Sequence, residues 1–149
     1  SKGVPDVFLN GTLDRVQGAF DGTGSTKTRL EQAIAPLLMQ NTFYAIEPVV
    51  NKTETGYKIS ATIARLGKSD GSNILVKAVV VSEEDQTYHR RVVKLISKSN
   101  VISHISAGEI KEIDFPEYQP ENQNPASVVY FITSEDETLV YQCRKVELE

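Results

Sequence analysis

From residue 41 onward, apolar and polar residues alternate with a period of two, and the alternating segments are rich in β-branched and aromatic side chains. This periodicity is typical of strands that have one buried face. Turn-forming residues separate the segments. The pattern predicts seven strands, near residues 42–50, 56–65, 73–83, 90–97, 108–115, 126–133 and 138–147. Seven closely spaced strands with no helix between them predict an antiparallel β-sandwich.

The first forty residues follow a different pattern. Alternation over residues 6–20, broken at the turn dipeptide Asn10-Gly11, predicts a β-hairpin. A helix is predicted after it. The chain is therefore expected to be mainly β, with a hairpin and a helix over residues 1–40 and an antiparallel β-sandwich over residues 41–149.

The predicted helix has one apolar face. Its apolar residues recur at helical spacing, at Leu30, Ala33, Ile34, Leu37 and Leu38. Thr28 followed by Glu31 fits a capping box, so we expect the helix to begin there. Pro36 lacks a backbone N–H, and we expect it to kink the helix or to end it near Ala35.

The composition limits the classes of function. The chain has 149 residues, of which 40% are hydrophobic and 24% charged, and its formal net charge is −4. This profile is typical of soluble globular proteins. The acidic balance disfavours nucleic-acid binding, which needs a concentrated positive surface, and no apolar run reaches the ~20 residues that cross a bilayer. We therefore expect a protein partner, no nucleic acid and no membrane insertion by this chain.

Cys143 is the only cysteine, which excludes an internal disulfide, a Cys-x-x-Cys redox pair and a cysteine zinc site. We expect it to be buried as a small hydrophobe, on the strand face that carries Leu139 and Tyr141. A nucleophilic cysteine would need a neighbouring base, and His89 and His104 are the two histidines available. Two histidines without further ligands are also a poor metal site. We expect no catalytic residues, no metal and no cofactor.

One run of positive charge has two interpretations. It consists of His89, Arg90, Arg91 and Lys94. It is either a docking patch for an acidic partner surface, or a solvated strand face whose charges discourage edge-to-edge association.

Two acidic turns and one loop aromatic also have two interpretations each. The acidic residues at 83–85 and 135–137 are either solvated or calcium ligands, although the chain has no Asp-x-Asp-x-Asp-Gly loop. Tyr118 lies in the proline-rich loop 116–125, where it is either an exposed binding anchor or folded back onto the sheet.

A resemblance to a known family enters at the N-terminus. Gly3-Val4-Pro5 precedes the hairpin, whose second strand ends at Gly18, and the helix follows. This order resembles the second half of a thioredoxin fold, over residues 3–39. In that family the proline is cis beside the active-site cysteines, and the residue before it offers its backbone to the bound peptide. The resemblance implies a cis Val4–Pro5 bond, and a substrate-binding role for both residues if a redox half is present. The first half of that fold, with its Cys-x-x-Cys, is not in this chain.

A second resemblance covers the sandwich. An apolar strand over residues 74–81 leads through a short acidic loop to residues 88–94, and two strands close the chain. Together with the domain order, this resembles the C-terminal sandwich of outer-membrane-associated lipoproteins that follow a thioredoxin-like domain with a β-rich one. The resemblance implies a non-catalytic interaction or assembly module of an extracytoplasmic thioredoxin-like protein, in the periplasm or at the outer membrane. The alternative is an accessory domain of a thiol-disulfide oxidoreductase whose redox half lies upstream.

Assembly follows from the same resemblance. Without the first half of the fold, the strand at residues 6–10 would present unpaired backbone groups, which tend to pair with another chain. The apolar face of the helix would be bare as well. We expect either a homodimer through residues 1–40, which is the favoured outcome, or packing of this region onto its own sandwich.

Overall fold

A computed structural model describes residues 6–18, 24–82, 92–120 and 125–148, with side chains not described for residues 92–96. These residues form one helix and nine strands. The helix is α1 (Thr26–Leu38), and the strands are β1 (Asp6–Leu9), β2 (Asp14–Gln17), β3 (Tyr44–Lys52), β4 (Tyr57–Arg65), β5 (Ile74–Ser82), β6 (Val92–Lys98), β7 (Ile110–Asp114), β8 (Pro125–Ser134) and β9 (Val140–Glu147). The seven strands expected after residue 41 are all present, and the mainly β fold class is confirmed.

The sandwich consists of two antiparallel sheets. One has the strand order β3-β4-β7 and the other the order β6-β5-β8-β9. Inward-facing residues of both sheets form a single apolar core. Tyr130 of β8 connects the sheets, because its hydroxyl donates to the carbonyl oxygen of Val49 in β3 at 3.1 Å. Its ring also meets Phe115 edge-on, with centroids 6.3 Å apart.

The hairpin and helix form beside the sandwich. In the hairpin, β1 and β2 pair antiparallel from Asp6↔Gln17 to Leu9↔Asp14. The helix is tied to the end of β2, because Arg29 donates to the carbonyl oxygens of Gln17, at 2.8 Å, and of Gly18. The order of hairpin and helix agrees with the order predicted from the sequence.

The predicted start of the helix is wrong by three residues. Ser25 is the N-cap, and its hydroxyl accepts from the Thr28 backbone N–H at 3.2 Å. Thr28 already lies in the first turn, and its hydroxyl bonds that of Ser25 at 3.0 Å. Two serine/threonine positions three apart could each act as a cap, and the earlier one adds nearly a full turn of helix.

Of the two effects expected of Pro36, the end of the helix near Ala35 is wrong. The helix continues through Pro36 to Leu38, and Met39 is the C-cap. A proline this close to the end removes only its own helix hydrogen bond. The chain then leaves the helix through a tighter turn, in which the Met39 and Gln40 N–H groups donate to the carbonyl oxygens three residues earlier, of Pro36 and Leu37, at 3.3 and 3.2 Å.

The turn of the hairpin packs onto the sandwich of the same chain. The backbone N–H and the hydroxyl of Thr12 both donate to the carbonyl oxygen of Thr138, at 2.7 and 3.0 Å. In return the Val140 N–H donates to the Asn10 carbonyl oxygen at 3.1 Å. Gly11 lies between these bonds, with a positive φ of 83°. The β8–β9 turn therefore anchors the hairpin.

An ion cluster ties the β8–β9 turn to the neighbouring strands. The Glu137 carboxylate accepts from Lys77 of β5 at 2.9 Å and from Lys98 of β6. Hydrogen bonds from Lys98 and then from Lys77 lower the pKa of Glu137 below its ordinary value. A lowered folded-state pKa adds stability above the unfolded pKa, and this stability is lost as the pH falls through the folded pKa.

We expect Glu137→Gln to lower the urea midpoint of unfolding at pH 7, because the variant loses both ion pairs. As the pH falls through the lowered folded-state pKa of Glu137, the wild-type carboxyl is protonated too, so the difference should shrink. Urea titrations from pH 7 to pH 3 measure this gap. Glu135→Gln is the matched control, since Glu135 lies in the same turn and forms no ion pair with a described residue. If the difference in urea midpoint from the wild type did not change with pH, or were the same for both variants, the stabilising role of the Glu137 ion pairs would be contradicted.

Candidate functional site

A cleft of about 500 Å³ lies where the hairpin turn, the end of α1 and the rim of the sandwich meet. The hairpin contributes Asn10 and Leu13, and the helix contributes Leu37. The sandwich side includes Tyr44 and Arg65. The cleft is thus formed by both predicted regions of the chain, at the boundary between them.

Strand pairing positions the charged group in the cleft. Tyr44 begins β3, Arg65 ends β4, and the two residues face each other in the register of the sheet. The guanidinium carbon of Arg65 lies 4.7 Å from the centroid of the Tyr44 ring and 5.2 Å from that of Phe43. An arginine held this close to aromatic rings is stabilised by their negative faces.

Arg65 is only 9% exposed, and its hydrogen bonds go to backbone carbonyl oxygens. Nε donates to Ser69 at 2.8 Å, and the two Nη atoms donate to Phe43 and Asp70 at 3.3 Å each. None of the three acceptors is a carboxylate. A guanidinium has five N–H donors, so two of them remain after these bonds are made.

Tyr44 lies beside Arg65 and is only 6% exposed. Its hydroxyl reaches over Gly71, where a side chain would collide with it. Burial raises the pKa of Tyr44, partly offset by the positive charge of Arg65, so the hydroxyl is neutral at physiological pH and can donate. It forms no hydrogen bond with any residue that the structure describes.

The rim of the cleft is apolar and exposed. Leu13, Phe43 and Tyr141 line the cleft and are all exposed, and the rings of Tyr44 and Tyr141 lie 5.6 Å apart. At the end of α1, Leu38 and Met39 are 78% and 84% exposed and follow Leu37, which lines the cleft. We call Leu13, Leu38, Met39, Phe43 and Tyr141 the junction surface.

Most of the site residues expected from the sequence are not described by the structure. Val4 and Pro5, with the bond between them, fall outside the described residues, and so do His89, Arg90 and Arg91. Lys94 lies in β6 at a register shift against β5, but its side chain is not described. The docking-patch interpretation of this run stays a prediction.

The expectation that Cys143 is buried is wrong. The thiol is exposed, because Cys143 pairs with Phe131 on the outer face of the sheet and β9 is an edge strand. Partial burial still raises the pKa of the thiol, partly offset by Arg144. His104 is not brought to it, since the imidazole contacts Ser106 at 3.2 Å and Asp70 at 3.7 Å.

The other candidates have structural roles. Asp136 accepts hydrogen bonds from Ser134 and Thr138 within its own turn, and residues 83–85 are not described. Tyr118 is buried and pairs with Tyr57, so it is folded back onto the sheet. Within the described ranges, no three histidine, cysteine or acidic side chains form a possible metal site, and α1 is too short and too polar to span a membrane.

Sequence reasoning did not identify Arg65 and Tyr44. The alternation of β4 could have pointed to Arg65. Counting in steps of two from Ile59, Ala61 and Ile63 reaches Arg65, which therefore falls on the inward face of the strand. A charged residue at an inward position is rarely fully buried unless it is paired. That Arg65 packs against aromatic rings could not be seen without the register of β3 and β4.

Comparisons with known proteins add no family. No protein-family model matches the chain, and no curated protein matches it. Among solved structures, the β-glucosidase DesR from Streptomyces venezuelae aligns at a TM-score of 0.41 and 17% identity, over 72% of this chain and 15% of that one. A β-glucosidase from Kluyveromyces marxianus aligns at a TM-score of 0.42 and 13% identity, over 72% of this chain and 14% of that one. The alkylpurine DNA glycosylase AlkC from Pseudomonas fluorescens aligns at a TM-score of 0.47 and 13% identity, over 87% of this chain and 41% of that one. Likenesses this weak carry no conclusion about function.

Proposed function

We propose that this chain is a non-catalytic interaction or assembly module of an extracytoplasmic thioredoxin-like protein. In this proposal the sandwich is the rigid support and the junction surface contacts a protein partner. One observation carries it: no residue of α1 is buried, while Leu38 and Met39 at its end are 78% and 84% exposed. A second copy of the chain, bound through residues 1–40, is the partner we favour.

Physical chemistry supports a contact at this place. A helix of 13 residues is marginal in water by itself, and packing of its apolar face normally stabilises it. Contiguous exposed apolar patches on folded proteins mark interaction sites. Aromatic residues and methionine are also enriched in protein interfaces, and the junction surface contains Phe43, Tyr141 and Met39.

The hairpin supports the thioredoxin-like part of the proposal. Among the described residues, β1 forms a ladder with β2 alone, which leaves room in this proposal for a further strand. A thioredoxin-like sheet would continue there, and the order of two strands and a helix is that of the second half of the fold. An open edge can also pair with a second copy of the same strand.

We expect Leu38→Lys/Met39→Lys to abolish self-association. Fully burying one such side chain is worth roughly 1.5–3 kcal/mol, so losing both should weaken a dimer by more than about a hundredfold. Sedimentation velocity or light scattering over a concentration series measures the dissociation constant.

The matched control for this experiment is Ile110→Lys. Ile110 is an exposed apolar residue of β7, 65% exposed and not a member of the junction surface, and the control variant should associate as the wild type does. A wild-type chain that stays monomeric at every concentration would rule out the homodimer. If both variants weaken dimerisation equally, the junction surface is not the contact between the two copies.

A further inference from the structure

The floor of the cleft contains two polar groups whose hydrogen-bonding capacity is incompletely used. Arg65 retains two N–H donors after its three bonds to carbonyl oxygens. Tyr44 retains its hydroxyl. Both side chains line the cleft and are more than nine-tenths buried. The Tyr44 hydroxyl oxygen is not among the buried atoms that lack a partner, so it is open to the cleft, where an acceptor atom of a ligand would meet a hydroxyl that bonds no described residue.

We propose that this cleft binds a carboxylate carried on an apolar group, with Arg65 and Tyr44 as the carboxylate-binding residues. The ligand is either the C-terminal residue of a peptide or a small carboxylic acid. The ligand and a protein partner would share Leu13, Phe43 and Tyr141 of the junction surface, but the carboxylate contacts concern Arg65 and Tyr44, which are not part of that surface.

The charge of Arg65 favours an anionic ligand. A cation removed from water is costly unless it is paired, and here its partners are neutral carbonyl groups and aromatic rings. The planar guanidinium matches the two oxygens of a carboxylate. The adjacent Tyr44 hydroxyl supplies one more donor to the same group.

The surroundings favour a carboxylate over a phosphate. Asp70 also lines the cleft, its side chain is 56% exposed, and its negative charge opposes a dianion more than a monoanion. A phosphate would also leave acceptor oxygens unsatisfied with this small donor set. The apolar part of the ligand would contact Leu13, Phe43 and Tyr141, which form exposed walls of the cleft.

Amide chemical-shift titrations of the full chain test the proposal. The probes are N-acetyl-phenylalanine, phenylpropionate and N-acetyl-phenylalaninamide, in which the carboxylate is replaced by a neutral amide. We expect the acids to shift the amides of Phe43, Tyr44 and Arg65, with a dissociation constant on the order of 1 mM, and the amide probe to shift none of them. Binding of the N-acetylated acid alone assigns the ligand to a peptide C-terminus, and binding of phenylpropionate alone assigns it to a small acid. No shift at the cleft, or equal shifts with the amide probe, would overturn the proposal.

Tyr44→Phe is the decisive variant, because it removes a hydroxyl that bonds no described residue. We expect an unchanged unfolding temperature and an affinity for the acids that is about three to ten times weaker. Tyr57→Phe, in a strand of the same sheet but outside the cleft lining, is the matched control and should bind as the wild type does. An affinity that Tyr44→Phe leaves unchanged would show that the carboxylate is not bound here. Weakening by both variants would likewise overturn the assignment.

Discussion

Replacing Ile63 by alanine should lower the free energy of unfolding by about 2–5 kcal/mol, which is the range for truncating a fully buried isoleucine. Ile63 lies in β4, the central strand of its sheet, and is 0% exposed. It pairs with Ile46 on one side and Lys111 on the other. The truncation leaves a cavity between two sheets that are held in place by their hydrogen bonds, so the surroundings can collapse only in part.

Urea denaturation at neutral pH measures this loss. Ile110→Ala is the matched control, because the same chemical change is made on the neighbouring strand β7 at a residue that faces solvent. Surface substitutions usually change stability by less than about 0.5 kcal/mol. Similar losses for both variants would mean that the core is not formed by the inward faces of the two sheets.

The second large effect is expected at the contact between the hairpin and the sandwich. Gly11 has a φ of 83°, and a side chain there would overlap the backbone carbonyl group of Thr138. We expect Gly11→Ala to weaken docking of the hairpin by about 3–5 kcal/mol, from a positive φ that alanine disfavours by ~1–2 kcal/mol and from loss of the hydrogen bonds of Thr12 and Val140. The sandwich itself should stay folded, because its core lies elsewhere.

Hydrogen exchange distinguishes these two parts. Exchange at the Thr12 and Val140 amides should accelerate in Gly11→Ala, while that of Val76 and Val80 in β5 should stay slow. The control is Gly108→Ala, since Gly108 has a similar φ of 79° but open space around its Cα. Unchanged exchange at Thr12 would show that the hairpin turn is not held by the β8–β9 turn.

Undocking also has a consequence for the cleft. Asn10 and Leu13 of the hairpin form one of its walls, opposite Tyr44 and Arg65. The hydrogen bonds of Thr12 to the β8–β9 turn therefore fix the width of the cleft as well as the position of the hairpin. A ligand that touches both walls would stabilise the docked state, since any ligand that binds one state favours it.

The strands were predictable from the sequence because alternation is a local property of an extended chain. A strand such as β4 places every second side chain on the core face, and its buried residues Ile59, Ala61 and Ile63 repeat with that period. The same holds for the hairpin, whose turn is marked by Asn10-Gly11. The single helix was predictable for the same reason, although its start depended on whether Ser25 or Thr28 acts as the cap.

The tertiary structure decided the features that depend on residues far apart in the chain. Cys143 is exposed because its pairing with Phe131 places it on the outer face of the sheet and because β9 is an edge strand, whose register on β8 shifts near Ile132. Tyr118 is buried because its backbone pairs with Tyr57. Neither the register shift nor this pairing leaves a periodic trace in the residues concerned.

The sequence by itself determined the seven sandwich strands, the hairpin and the mainly β class, because each follows from the order of polar and apolar residues within a short segment. Only the tertiary structure decided that the hairpin turn packs on the β8–β9 turn, and that Arg65 lies against Tyr44 at the floor of a cleft. Arg65 and Tyr44 are 21 positions apart in the chain, and Thr12 and Thr138 are 126 apart. Contacts at such separations are selected by competition among all the surfaces of the folded chain, which no local pattern records.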